Sequence, residues 1–153
     1  MSDLQNDAAR WALLLEIGAV RPEEIIRWAD GVIVAEAKPS QELIELSTSA
    51  EERVGDALQV LAHGADVWRP LEEALPSILD FVAARADRAP VVAKAFYHIA
   101  VSQKYEVPDS FRFILGAEDA FDLADSGISR FDDVYREFVD DIKAAIDAHE
   151  EKA

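Results

Sequence analysis

Apolar residues recur at intervals of three and four along almost the whole chain, and no stretch keeps the alternation that a half-buried strand requires. That spacing places them on one stripe of a helix and predicts an all-α fold. The run Gly31 to Ala35 could form a strand, but a lone strand would have nothing to pair with, so helix is the reading there too. Prolines, glycines and capping residues cut the pattern into about seven to eight short helices, the texture of stacked helical hairpins. At 153 residues the chain has the length of a single domain, read here as 1–153.

The punctuation sets the expected boundaries. Ser2 can cap a first helix through about Ile17, which Gly18 stops. Pro22 suits the first turn of a second helix, with Glu23 and Glu24 at its positive end. Ser40 can cap a third, and Ser49 with Glu52 forms a capping-box pattern ahead of Val54, Leu58 and Leu61, with His63-Gly64 at the end. Pro76 is expected to kink or split the helix that starts at Trp68. Pro90 opens a helix that is apolar on most sides and reads as the most buried. A turn at Pro108 to Ser110, a short helix around Phe121 and Leu123, an Asp-Ser-Gly stop at Gly127 and a Ser129 cap lead into the last helix, with Phe131, Val134, Tyr135, Phe138, Val139, Ile142 and Ile146 on its stripe.

Net charge is −16, and its distribution is uneven. Residues 1–66 hold 13 acids and 5 bases, residues 67–116 hold 6 of each, and residues 117–153 hold 12 acids and 4 bases. Two blocks of −8 therefore flank a neutral, apolar middle, which is the expected core. Such a surface repels nucleic acid and anionic membrane and speeds encounter with basic partners. Acidity also keeps a protein soluble without any partner, which leaves a generic helical adaptor as an alternative. No basic-apolar leader opens the chain and no apolar run reaches membrane-span length, so a cytoplasmic protein is expected. With no cysteine, disulfides, thiol nucleophiles and thiolate metal sites are excluded.

Catalytic patterns are sparse. His63, His98 and His149 fall on separate elements; His98, on the apolar helix, reads as a hydrogen-bonded core residue. The six glycines are scattered, without a phosphate-loop pattern. The segment Asp122 to Asp133 has an acid first, glycine sixth and acid twelfth, as in a calcium loop. Ala124 stands at its third position, Arg130 at its ninth and Asp133 in place of the bidentate glutamate, and a helix stop followed by a cap accounts for the same residues. Asp133, Glu137 and Asp141, spaced by four with Asp140 beside them, stack like charges on one helix face. A metal-dependent hydrolase using these carboxylates is the enzyme alternative, and it would need one of them in an apolar pocket. Neither a resident metal nor a cofactor is expected. Trp11, Trp28 and Trp68 lie on apolar stripes, where core packing is the expectation and exposure would mark an interface anchor.

The segment Trp11 to Asp30, in which a helix ends at Gly18 and Pro-Glu-Glu-Ile-Ile runs into Trp28-Ala-Asp30, followed after Pro39 by Leu-Ile-Glu-Leu-Ser from 43 to 47, resembles the opening of small helical immunity proteins of bacterial polymorphic toxin systems. The likeness covers about the first third of the chain. It implies a non-enzymatic inhibitor that occupies a cognate toxin domain, often a basic nuclease, and it carries over no catalytic residues. Taken with the charge map, it makes a basic protein the expected partner. The expected contacts are Glu118, Asp119, Asp122, Asp125, Asp132, Asp133, Glu137, Asp140 and Asp141. The sequence leaves oligomeric state open.

Overall fold

The computed structural model describes residues 3–152. Among them are eight α-helices and no strand: α1 (Asp3–Glu16), α2 (Pro22–Ala35), α3 (Gln41–Ser47), α4 (Val54–Ala62), α5 (Trp68–Ala84), α6 (Ala89–Ser102), α7 (Ala117–Asp125) and α8 (Phe131–Lys152). Short 3₁₀ segments, Glu51–Arg53, Ala86–Arg88 and Asp109–Leu115, lead into α4, α6 and α7. No helix among the described residues is long and apolar enough to cross a membrane. The chain forms two compact units, Met1–Ala74 and Leu75–Ala153, with the division inside α5.

In the first unit α1 packs chiefly on α4, and α3 touches both α2 and α4. Its core is aliphatic: Ala8, Ile25, Ala29, Leu43, Leu46, Val54, Leu58 and Leu61 are buried together. Trp11 and Trp28, 6.0 Å apart between ring centroids, pack against this cluster as partly buried residues, and Trp68 is half-buried as well. Gly18, at φ 82°, closes α1 by sending the Ala19 N–H to the Leu14 carbonyl (2.9 Å) and its own N–H to Leu15 (3.1 Å), a pairing that requires the left-handed conformation. Glu24 accepts from the Arg21 N–H at 2.7 Å, and Ser40 Oγ accepts from Leu43 N–H at 3.2 Å, so the starts of α2 and α3 are as expected. Ser47 Oγ donates to the Asp30 carboxylate, tying α3 to α2.

In the second unit α6 packs against α7 and the Asp109–Leu115 segment, and α7 against α8. Its core combines aliphatic residues such as Leu75, Ile78, Val92, Ile114 and Ile142 with a phenylalanine cluster. Phe96 lies 6.0 Å from Phe113 and 5.9 Å from Phe138, and Phe121 meets Phe138 edge-on at 5.4 Å. The Tyr135 hydroxyl donates to the Val82 carbonyl at 2.7 Å, fixing α8 to the end of α5.

Several expectations are corrected. The Ser2 cap lies outside the described residues. Ser49 does not cap α4: its hydroxyl donates back to the Glu45 carbonyl at 2.6 Å, and a 3₁₀ turn intervenes before Val54. Ser129 does not precede α8 directly, since the helix begins at Phe131 with Arg130 before it. Pro76 does not split its helix; it sits exposed inside a continuous α5, where the missing N–H costs one backbone bond at the surface. His98 is exposed, because it falls on the strip of α6 shared with Lys94 and Val101. The core is not confined to 67–116. The aliphatic cluster lies wholly before that stretch, and Phe121, Phe138 and Ile142 are buried beyond it. Charge on the outer face of an amphipathic helix does not prevent its stripe from being buried.

Candidate binding surfaces on α7 and α8

The nine-residue acidic α7 presents two different faces. Ala117, Ala120 and Phe121 share one side at helical spacing and line a cleft, while Glu118, Asp119 and Asp122 lie on the opposite side and line a second concavity. The small residues exist to let α7 approach its neighbours, and the acids fill what that approach leaves outside.

The second concavity, of about 340 Å³, is formed by Tyr97 and Leu115 with Glu118, Asp119 and Asp122. Tyr97 comes from α6 and makes a ring contact with Tyr105 at 6.3 Å. Tyr105 is held there by a helix end that uses no glycine. Lys104 and Tyr105 both adopt left-handed backbone, φ 55° and 64°, so that Tyr105 N–H reaches the Ala100 carbonyl at 2.8 Å. For residues with a Cβ this conformation costs about 1–2 kcal/mol each. A hydrogen bond and charge interaction with Tyr105, then some desolvation and the charges of Glu118 and Asp119, hold the Tyr97 hydroxyl above its ordinary pKa. It therefore stays protonated, a neutral aromatic beside three carboxylates.

The cleft on the other side of α7 encloses about 290 Å³. Phe113, Phe121 and Phe138 wall it, Ala117 and Ala120 keep it open, and Arg112, Glu137 and Asp141 stand among the lining residues. Glu137 and Asp141 lie one turn apart on α8. Partial burial, reinforced by Glu137 and Asp140, raises the Asp141 pKa above its ordinary value. Arg112 does not relieve this, because its Nε is bonded to Asp109 at 3.1 Å.

The nine sequence-selected acids are therefore not one surface. Glu118, Asp119 and Asp122 line the tyrosine concavity, whereas Glu137 and Asp141 line the phenylalanine cleft and Asp140 is exposed next to it. Asp125 is exposed in the last turn of α7. Asp132 and Asp133 occupy the first turn of α8, where the helix dipole favours them, and Asp133 also faces Arg136 at 3.9 Å. The twelve-residue calcium-like pattern is divided between the end of α7, a Gly127 turn and the start of α8, which is not the continuous loop a calcium site needs. Sequence reasoning missed Tyr97, Tyr105, Arg112, Phe113 and the two alanines. Their helical spacing reads as packing, and only the tertiary arrangement turns them into walls.

Pairing separates these acids from Glu73 of the first unit. Among the described residues, Glu118, Asp119, Asp122, Glu137, Asp140 and Asp141 take part in no ion pair, whereas Glu73 alone receives Asn6 (2.6 Å), Arg69 (3.1 Å) and Arg10 (3.8 Å). Comparison with protein-family models, curated proteins and solved structures finds no match to this chain.

Proposed function

We propose that this protein is an immunity-type inhibitor that binds a basic protein, a cognate toxin domain, through the carboxylates of α7 and α8. The observation that supports this most directly is that five acids of these helices, Glu118, Asp119, Asp122, Glu137 and Asp141, lack internal cation partners while bordering two concavities with aromatic walls. Unpaired like charge raises the local potential and the encounter rate with a basic partner, and aromatic residues at the same place supply anchoring area. The role needs no turnover chemistry from this chain. The resemblance of its first third to immunity proteins and its net charge of −16 point the same way.

The test is co-expression with the product of the adjacent gene, followed by stopped-flow association of the purified pair. Suppression of that product's toxicity and a tight one-to-one complex are expected. Combined reversal at Asp133, Glu137 and Asp140 to lysine should slow association by roughly tenfold or more at low salt and flatten its salt dependence, while helical content stays unchanged. Undiminished toxicity with no complex would remove the inhibitor reading. An unchanged rate would remove α8 as the contact.

A further inference from the structure

We propose that the cleft between α7 and α8 is an arginine pocket, which takes the side chain of an arginine presented by the basic partner. The proposal rests on the basic-partner reading only for the source of the arginine. The pocket itself is argued from its shape and chemistry. Its floor is apolar, with Phe113 partly exposed above the buried edges of Phe121 and Phe138 and the alanine side of α7 beside them. It carries carboxylates on one side only, from Glu137 and Asp141 one turn apart on α8.

An occupant must therefore combine an apolar or planar body with a positive end. An aliphatic or aromatic side chain alone would leave Asp141 partly buried against Glu137 and Asp140 with nothing to offset it. A lysine ammonium is strongly hydrated and offers no plane to an aromatic wall. A guanidinium is weakly hydrated, stacks on rings and presents several N–H groups at once to two carboxylates. At about 290 Å³ the cleft has room for that side chain and not for a folded peptide segment. Arg112 is the one cation among the lining residues. Its Nε is bonded to Asp109 at 3.1 Å, and neither Glu137 nor Asp141 forms an ion pair with it, so both stay available to an incoming cation.

The measurement is an NMR titration of the full chain with N-acetyl-arginine amide, with N-acetyl-citrulline amide, its neutral isostere, as the control. A ligand of this size should bind with a Kd of about a millimolar. Arginine is expected to shift resonances of Ala117, Ala120 and Phe138, and citrulline is expected to bind at least about tenfold more weakly. Asp141→Asn and Glu137→Gln should each weaken arginine by roughly three- to tenfold, while Arg112→Gln, which removes a like charge, should tighten it by about twofold. Equal binding of citrulline, shifts confined to the Glu118, Asp119 and Asp122 face, or no response from the cleft would each overturn the pocket. None of these results touches the toxin-suppression test, so the two readings can fail separately.

Discussion

The two units divide the aromatic residues between them. All three tryptophans lie in Met1–Ala74, around an aliphatic core, whereas all seven phenylalanines and all three tyrosines lie in Leu75–Ala153. Acids divide differently: both units are acidic, but Glu73 in the first serves Asn6, Arg10 and Arg69, while Glu118, Asp119, Asp122, Glu137 and Asp141 of the second border open concavities. In the first unit Glu73 uses its charge to join α5 to α1. The second keeps its charge at the surface, beside rings too large and rigid to fill every gap between short helices.

This contrast is most directly tested in the cores. Phe96→Ala removes a fully buried ring that touches Phe113 and Phe138, and should cost about 3–5 kcal/mol, whereas Leu58→Ala in the aliphatic cluster should cost about 2–5 kcal/mol. Tryptophan fluorescence reports on the first unit and tyrosine near-ultraviolet circular dichroism on the second. In urea unfolding, each substitution should shift its own unit's probe more. Equal shifts in both probes would mean that the cores fail as one, and the comparison would lose its basis.

Helix ends separate the units by a smaller amount and in opposite directions. Gly18 is left-handed by design of its residue type, so Gly18→Ala should destabilise by about 1–2 kcal/mol. Lys104 adopts the same backbone with a side chain, so Lys104→Gly should stabilise by up to about 1 kcal/mol, as read by the urea midpoint. If Lys104→Gly destabilises instead, the conformation is supported by contacts of the lysine side chain rather than imposed on it.

These positions also show where sequence reasoning reaches. Gly18, Pro22, Ser40 and Gly127 signal their helix boundaries because the signal is a local backbone requirement carried by one residue type. Ser49 and Ser129 carry the same local signal and are overridden, the first because its hydroxyl finds Glu45 behind it. The Lys104 turn is invisible, since nothing in lysine asks for positive φ. For the site, the acids were legible as a spacing on α8, but their division between two sides of α7 depends on how Ala117, Ala120 and Phe121 meet α8. The concavities are made by residues that sequence periodicity can only describe as core.

Opposite signs are expected when one acid is neutralised in each unit. Glu73→Gln weakens the bonds from Arg69 and Asn6 and should destabilise the first unit by about 1 kcal/mol, less in high salt. Asp141→Asn should do the reverse. Burial and the charges of Glu137 and Asp140 raise the Asp141 pKa in the folded chain, so the folded state binds its proton more tightly than the unfolded state. Stability is then lost as pH rises from the ordinary aspartate pKa through the raised one, and at neutral pH the charged Asp141 is a net cost. Because Asp141 is largely open to solvent screening, that cost is small, roughly a few tenths of a kcal/mol. Asp141→Asn should therefore be more stable than the parent at pH 7, and the difference should close as pH falls below the ordinary aspartate range. A destabilised variant at neutral pH would mean that the carboxylate has a favourable partner in the cleft. Its α8 acids would then be paired like those around Glu73, and the contrast between the units would disappear at the position where the arginine pocket depends on it.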